Sequence, residues 1–540
     1  MRIRVKDHKK NQGLLLLLGI LAFAVVLTIG ISWIVISHSR PSKILGLLPS
    51  LPSLDQVNEV LKEKIMRADE AARRAIKQGG KAEKLGQKVG KLGELYQANH
   101  FYDEAIACYR LAMNLNGQNA RWPYFLAVIH QERGENKAVI NLLERVVKIA
   151  PVYSPAILRL ADTYFKTGRL DKARVYYKRR LALLPGDPYA LLGLARIALN
   201  KSEWTLAEDY LKRAIGSNPS FGDAHRLLAS VYMHSSQISE AKKCLERADR
   251  CARFHPASDP WVNTLTDELC YGTEELLVLA SKAVSELNIE KALNFFNRAM
   301  EVDPQNPKVQ IALAKAYWML GRTNLAQKFF KNTLQLDPRN DEAHFYLGLI
   351  LRKEKDFVGA EKMFLKALKF QSSNANVYNN LGVVYLEEHK YKKAIHCFRQ
   401  ALNIYPEHLE ALYNLGLAFW ASGHKEAALK QYYQVLQVKP NWPKAANSLA
   451  WILATDKDKN IRNGKEAIKW ALVACKGEGR QNPEYLDTLA AAYAEEGFFD
   501  KAVETAERCL RLAKSSRNAD LAKEVSQRLR LYRSNKPFHK

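Results

Sequence analysis

The sequence predicts an all-α protein in which about twelve helix–turn–helix units follow one membrane-spanning helix. Two observations carry this prediction. Prolines recur at an interval of 34 residues, or 68 where one is missing, and each of them ends a helix-like run. Near the N-terminus, 23 consecutive residues carry no charge. Self-similarity at a fixed period is typical of repeat architectures, so we interpret most of the 540 residues as one long array.

The uncharged stretch, residues 14–36, is long enough to cross the hydrocarbon core of a bilayer as a helix, at about 1.5 Å per residue. Residues 1–13 contain five basic side chains, whereas only Arg40 and Lys43 follow the stretch closely. The positive-inside rule therefore predicts a single-pass membrane protein with residues 1–13 in the cytoplasm and the rest of the chain outside it, in the periplasm. A cleaved signal peptide is the alternative, although its apolar region is normally only about 7–15 residues long.

Residues 37–83 are expected to form a spacer rich in Pro and Ser and then a helix that begins near Leu54. The apolar residues of this helix are spaced by three and four, as on one helical face. They are Leu54, Val57, Leu61, Ile65, Ala68 and Ala72. The face either packs on the first repeat as a cap or forms a short coiled-coil seam that makes a homodimer. The sequence favours the cap, because the seam is shorter than three heptads.

The repeating unit has a fixed internal pattern. Leu-Gly or Leu-Ala stands 25 and 24 residues before each proline, an alanine stands twelve before it, and a large ring follows that alanine by four. Small residues let two antiparallel helices approach, the rings fill the space beside them, and the proline stops the second helix. The alanines are Ala326, Ala360, Ala394 and Ala428, and the rings are Phe330, Phe364, Phe398 and Tyr432.

This pattern resembles the tetratricopeptide repeat (TPR) over nearly all of residues 84–516. The resemblance implies a right-handed superhelix, an α-solenoid, whose first helices line an inner groove that captures extended peptides. We assign a first array of about five repeats to residues 84–256 and a second of about seven to residues 271–516. Between them, residues 257–270 are expected to form an extended loop, because Pro256 and Pro260 interrupt the pattern.

Two further departures from the period have simple interpretations. The eleventh repeat contains the extra sequence DKDKNIRNG, which predicts a longer turn between its two helices. After the twelfth repeat, residues 517–540 are expected to form a capping helix and a basic tail, since the last repeat would otherwise expose its stacking face.

No catalytic signature is found in the sequence. It has no Gly-rich phosphate loop, no nucleophile elbow and no His-Glu-x-x-His helix, and its seven cysteines include no Cys-x-x-Cys pair. His389, His396 and Cys397 lie close together in sequence, but the period separates them: His389 falls in an inter-helix turn where other repeats have glycine, and Cys397 is a small packing residue. We therefore expect no enzyme, no cofactor and no metal site.

The resemblance implies which side chains line the groove, because in TPR arrays the lining comes chiefly from fixed places of each first helix. Asparagine both donates and accepts, so a row of asparagines can pair with the backbone of an extended peptide, and aromatic rings can anchor its apolar side chains. The alternative is a solvated inner face with partly packed tryptophans. The candidates are Lys315, Trp318, Phe345, Arg352, Asn376, Asn379, Asn380, Val383, Tyr413, Asn414, Leu417, Trp420, Asn447 and Trp451.

The net charge of +26 favours acidic partners. Residues 511–540 are especially basic, which is typical either of a soluble cap or of a surface for anionic lipid or acidic polymer. We expect a non-catalytic, membrane-tethered scaffold or assembly factor at the cell envelope that binds extended segments of other proteins. The alternative is an acidic-polysaccharide-binding or glycosyltransferase-accessory protein of an export or glycosylation system. The predicted topology argues against nucleic acid as a partner.

Overall fold

The computed structural model describes residues 41–251 and 257–540, in which every regular element is helical. The expected cytoplasmic residues 1–13 and transmembrane helix 14–36 lie outside this part. Within it, no helix combines the length and the apolar character that a bilayer crossing requires. The chain divides into two compact units, Met1–Pro304 and Gln305–Lys540.

The first unit contains fourteen of the described helices, after a helical turn at 41–47. They are α1 (Glu59–Gln78), α2 (Ala82–Ala98), α3 (Tyr102–Leu115), α4 (Arg121–Glu132), α5 (Asn136–Ile149), α6 (Ser154–Lys166), α7 (Leu170–Leu183), α8 (Pro188–Asn200), α9 (Trp204–Ser217), α10 (Gly222–His234), α11 (Ile238–Arg250), α12 (Pro260–Leu269), α13 (Thr273–Ser285) and α14 (Ile289–Val302).

The second unit continues the alternation of paired helices. They are α15 (Pro307–Met319), α16 (Thr323–Leu336), α17 (Asp341–Lys353), α18 (Phe357–Phe370), α19 (Ala375–Glu387), α20 (Tyr391–Ile404), α21 (Leu409–Ala421), α22 (Lys425–Val438), α23 (Pro443–Thr455), α24 (Gly464–Ala474), α25 (Pro483–Glu495), α26 (Phe499–Ser515) and α27 (Ala519–Arg533). A short 3-10 turn, Gly477–Gln481, separates α24 from α25.

The steric interpretation of the repeat is confirmed at the contact between its two helices. A Cβ on Gly382 of α19 would stand 2.6 Å from the Phe398 ring of α20, and a Cβ on Gly348 would stand 2.6 Å from Phe364. Both rings are fully buried. The small residue and the ring predicted from the period therefore touch, and no larger residue fits at the glycine without displacing the ring.

The turn between the two helices of the ninth repeat is built as predicted. His389 has a φ of +58°, and the corresponding Gly321 and Gly423 have φ values of +70° and +83°. An L-residue is strained in this left-handed region, so His389 fills a place suited to glycine. Its imidazole is exposed, as is His396, whereas Cys397 is buried in α20. The three side chains do not form one cluster, and no group of three or more possible metal ligands is found in residues 41–251 and 257–540.

The helix expected from near Leu54 is α1, which begins only at Glu59, so Leu54 and Val57 precede it. The apolar face of α1 is buried inside the first unit. Leu61, Ile65, Ala72 and Ile76 are at most 5% exposed, and α1 packs on α2. This is the arrangement that the cap interpretation predicts. The same side chains are not available for a coiled-coil seam while they are buried here.

The extended loop expected over residues 257–270 is wrong for most of its length, because Pro260–Leu269 form helix α12. Asp259 is the N-cap of this helix and its carboxylate accepts a hydrogen bond from the Val262 backbone N–H at 3.4 Å. Pro260 occupies the first turn, where a missing N–H costs nothing. Pro260, one of the two prolines from which the loop was predicted, therefore stands at the start of a helix.

The two other departures from the period are as predicted. In the eleventh repeat, the turn between α23 and α24 extends from Asp456 to Asn463. After the twelfth repeat, α27 packs on α26 and buries Val525, Leu529 and Tyr532. A terminal helix thus covers the stacking face of the last repeat.

Candidate functional site

The first helices of successive repeats contact one another in the second unit, as α17 with α19, α19 with α21, and α23 with α25. The surface that α15, α17, α19, α21 and α23 share is called here the second inner face. All fourteen candidate residues lie on these five helices. Side chains about one repeat apart bridge neighbouring helices, so this face is built by polar and aromatic contacts between repeats.

The predicted row of asparagines is partly paired with itself. Asn414 donates to the side-chain oxygen of Asn379 at 2.9 Å, and Asn379 is buried. The side-chain oxygen of the exposed Asn376 lies 3.1 Å from His408 Nε2. Asn380, half-buried, donates to the Asn376 carbonyl one turn earlier at 2.8 Å. These amides form an ordered polar track across α19 and α21, rather than a row of free groups.

Asn447 differs from the other amides of this face. Its side chain is half-buried, and its Oδ1 atom is buried without a hydrogen-bond partner in the described part of the chain. A buried acceptor that remains unpaired costs about 1–3 kcal/mol. Because this oxygen is itself buried, a ligand on the face cannot reach it unless the Asn447 side chain rotates.

The aromatic and apolar candidates next to the amides are half-buried. Tyr413 packs against Trp442, with ring centroids 5.5 Å apart, and its hydroxyl lies 3.2 Å from Ser448 Oγ. Trp420 has the Lys425 ammonium 5.8 Å from its ring centroid. The candidates Val383 and Leu417 pack at the edge of the same hydrophobic core and remain half-buried. Part of each surface stays open to a ligand.

Candidates on α15 and α17 form smaller local contacts. Lys315 pairs with Glu342 of the next repeat at 3.1 Å. Trp318 meets the ring of Tyr346 edge-on, at 6.1 Å between centroids. Phe345 and Arg352 are both half-buried, Phe345 beside the Phe364 ring and Arg352 near the end of α17. The lysine expected to attract acidic groups is thus already paired with a carboxylate.

Trp451 lies under the segment that follows α27. The Phe538 ring is 6.3 Å from the Trp451 ring, and the Arg528 guanidinium lies 5.3 Å from Trp451 and 5.4 Å from Phe538. The backbone N–H of Lys540 donates to the Thr455 carbonyl at 2.7 Å. Residues expected to be a basic tail therefore cover one end of the second inner face, and Trp451 is a packed residue there.

The strongest constellation on a first-helix surface lies in the first unit and was not among the candidates. Tyr124 on α4 and Arg159 on α6 face Tyr153, which precedes α6. All three donate to the buried Asp259 carboxylate: Tyr124 through its hydroxyl, Tyr153 at 2.8 Å and the Arg159 Nη2 atom at 2.9 Å. We call the surface shared by α2, α4, α6 and α8 the first inner face.

The chain segment 257–269 crosses this first inner face. At one end, Ala257, Ser258 and Asp259 wall a cavity of about 470 Å³ together with residues of α6 and α8, including the exposed Arg196. At the other end, α12 packs on α2, and Asn99 donates to the Leu269 carbonyl at 2.8 Å. The segment thus runs from the fourth repeat to the first.

This site was not predicted from the sequence, because residues 257–270, the insert between the two arrays, do not follow the repeat pattern. The signal that could have found it is local: Asp259 followed by Pro260 is typical of a helix start, and Trp261 beside it is a large apolar residue without a repeat position. Its contacts with Tyr124 and Arg159 link residues at least 100 positions apart, which one sequence does not reveal.

Comparison with known proteins agrees with the repeat pattern. Three models described as tetratricopeptide repeat match the chain, one at 341–407 and 373–441, one at 132–197 and 283–331, and one at 192–256. Among solved structures, the chain is similar to Pseudomonas aeruginosa PilF, at 24% identity over 42% of this chain and 98% of that one, with a TM-score of 0.36. It is similar to YrrB, "a TPR protein with an unusual peptide-binding site", at 19% identity over 36% and 98%, with a TM-score of 0.30.

Two curated relatives illustrate the range of proteins that carry similar segments. The cellulose synthase operon protein C of Xanthomonas axonopodis pv. citri (strain 306) is 30% identical over 151 residues, 27% of this chain and 10% of that protein. The human protein O-mannosyl-transferase TMTC3 is 24% identical over 278 residues, 51% of this chain and 28% of that protein. The chain thus spans about a tenth and about a quarter of these relatives. On its repeat pattern and the three matching models, the chain belongs to the tetratricopeptide repeat family.

Proposed function

We propose that this protein is a non-catalytic scaffold or assembly factor, tethered to a membrane at the cell envelope, that binds an extended segment of a partner protein along the second inner face. One observation carries this proposal: two neighbouring first helices, α19 and α21, present half-buried aromatic, apolar and amide side chains. Membership of the TPR family supports the protein-binding role.

Binding along this face would be distributed over several repeats. The open part of Trp420 and the side chain of Leu417 offer apolar contact, and the exposed Asn376 offers a polar contact beside them. Each repeat adds a small contribution, and the packed array loses little conformational freedom when the partner binds.

The membrane tether and the envelope location are part of this proposal and rest on the sequence of residues 1–36. A reporter fused after Lys540 tests them, because it should be active only outside the cytoplasm. Activity only in the cytoplasm would reverse the topology and would make nucleic acid a reasonable partner for a chain of net charge +26.

A second candidate function is binding of an acidic polysaccharide, or service to a glycosyltransferase, in an export or glycosylation system. The similarity to cellulose synthase operon protein C and to an O-mannosyl-transferase favours it, together with the net charge. The dependence of partner binding on salt concentration distinguishes the two candidate functions. Capture by point charges should collapse between about 50 and 500 mM salt, whereas a surface of amides and rings should lose less.

The proposed function is tested by photo-crosslinking from the second inner face in native membranes. Partners captured from Leu417 and Asn380 should disappear in the double variant Trp420→Ala, Asn414→Ala. The matched control is Val438→Ala, an exposed apolar residue at the end of α22, a second helix. If the double variant folds and captures the same proteins as the native chain, the second inner face is not the binding surface.

A further inference from the structure

We propose that the first inner face is a separate binding site for a partner segment of the Asp-Pro-Trp type, and that the chain's own residues 257–269 occupy it as an internal ligand. The site is on the first unit and does not depend on the second inner face. The partner is defined by its chemistry: a carboxylate two residues before a large aromatic ring, at the start of a helix.

The array alone supplies a receptor for the carboxylate. Tyr124, Tyr153 and Arg159 come from two neighbouring repeats, and their donor groups converge on Asp259. Arg159 also donates to the Tyr124 hydroxyl at 2.8 Å, so the donors hold one another in place. A partly buried guanidinium needs an anion beside it, and none of these three side chains belongs to the insert. Removing the insert would leave a preformed carboxylate site.

The same residues supply a receptor for the ring. The Trp261 indole is stacked on Tyr153 with centroids 3.6 Å apart and meets Tyr124 nearly at right angles at 5.3 Å. The Trp261 backbone N–H donates to the Tyr153 hydroxyl at 3.1 Å. Both tyrosines therefore contact the acid and the ring of the ligand together, which favours the two groups at this spacing over either one alone.

The recognised element is short and local. Asp259 caps α12, Pro260 fits its first turn, and Trp261 follows immediately. Three consecutive residues thus carry both anchors in a conformation that their own sequence favours. The same three residues at the start of a helix in another protein would present the same two anchors.

Attachment to the chain gives the internal segment an advantage over a partner. A ligand held by a short linker acts at an effective concentration of about millimolar. A free segment of equal affinity at micromolar concentration is therefore excluded until the internal one is weakened. A partner must bind more tightly, or at several places at once, to displace it.

The test uses the full chain in detergent and a fluorescent peptide of residues 257–269, ASDPWVNTLTDEL, with binding measured by anisotropy. The double variant Asp259→Ala, Trp261→Ala removes both internal anchors and keeps Tyr124, Tyr153 and Arg159. We expect it to bind the peptide at least tenfold more tightly than the native chain does. A peptide with the same two substitutions should not bind, and adding Arg159→Ala to the chain should abolish binding.

Two results would overturn the proposal. If the double variant retains native helicity but does not bind the peptide, the insert only stabilises the fold and does not act as an internal ligand. Equal binding by the native chain and the variant shows that the site is not occupied from within. Should the double variant unfold, Asp259→Asn keeps the shape and removes the charge, and it must still bind the peptide more tightly than the native chain. Trp420→Ala in the second unit is the control that should change nothing.

Discussion

The indole of Trp261 lies against the phenol ring of Tyr153, with centroids 3.6 Å apart and planes inclined by only 13°. The two residues are 108 positions apart in sequence. Their contact joins the insert to the groove side of the first array, the surface that a TPR protein normally offers to a partner. The two inner faces therefore differ in occupancy. The first inner face is covered by residues 257–269 of the same chain, whereas the second inner face is open over α19 and α21.

Gly382→Ala tests the steric rule of the repeat. The added Cβ would stand 2.6 Å from the Phe398 ring, so the ring must move, and overpacking of this kind costs about 1–3 kcal/mol. The measurement is the urea unfolding midpoint of the unit that carries the substitution, the second unit for Gly382 and the first for its control. Gly216→Ala is the control, since a Cβ there meets nothing within 4 Å, and the change should stabilise by about 0.5–1 kcal/mol. Equal effects of the two substitutions would contradict the rule.

His389→Gly should stabilise the ninth repeat. The φ of +58° strains an L-residue by about 1–2 kcal/mol, and relief of that strain exceeds the larger conformational freedom of unfolded glycine, which leaves a gain of about 0.5–1 kcal/mol. His396→Gly, seven residues later in the interior of α20, should instead destabilise by about 0.2–0.4 kcal/mol, the difference between the helix propensities of His and Gly. Thermal unfolding of both variants checks the opposite signs. A loss of stability in His389→Gly would mean that its side chain matters more than its backbone.

Asp487→Ala should destabilise the C-terminal end strongly. The Asp487 carboxylate receives two bonds from Arg528, at 2.7 and 3.0 Å, and both side chains are buried. Removing the acid leaves a buried cation, at a cost of about 3 kcal/mol, the lower end of the usual range because Glu524 remains 3.2 Å away. The control is Glu507→Ala, which breaks the exposed pair with Arg533 and should cost less than about 1 kcal/mol. Hydrogen exchange of α27 should rise in the first variant and stay constant in the second.

The buried cysteines should react slowly with alkylating reagents while the protein is folded. Burial raises the pKa of the Cys397 and Cys475 thiols to about 11, so only about 0.1% of each is thiolate at pH 8. Their alkylation should be slow at pH 8 and rise about tenfold per pH unit toward pH 10. Cys251, which is half-buried, should react first, and urea should make all seven reactive at similar rates. Mass spectrometry after timed labelling measures this order, and rapid labelling of folded Cys397 would show that α20 opens easily.

Much of the array could be predicted from sequence because its determinants are local and repeated. The pair of Gly382 and Phe398 recurs in other repeats at the same spacing, so each occurrence supports the others. The placement of His389 in a glycine position follows from the same alignment.

The site residues were harder to predict, for a physical reason. The position of a residue in the repeat shows whether its side chain faces the groove. It does not show whether neighbouring side chains already occupy its hydrogen-bonding groups or cover its surface. Asn379 and Asn414 face the groove as expected and bond to each other. Trp451 faces it and is covered by Phe538. The receptor for Asp259 depends on contacts between residues at least 100 positions apart, which the repeat period does not encode.

Residues at the end of α12 and just after it contact the beginning of the first unit, and these contacts between distant parts of the chain should affect how that unit folds. Asn99 binds the Leu269 carbonyl and Asn58 binds the Tyr271 carbonyl at 3.0 Å, across 170 and 213 residues. An ordinary repeat array has contacts only between neighbours, so its terminal repeats fray first and folding can begin anywhere. Here the ends are tied, and the first repeat cannot open without releasing the sixth. The first unit should therefore unfold in one cooperative step and refold slowly, as proteins rich in distant contacts do.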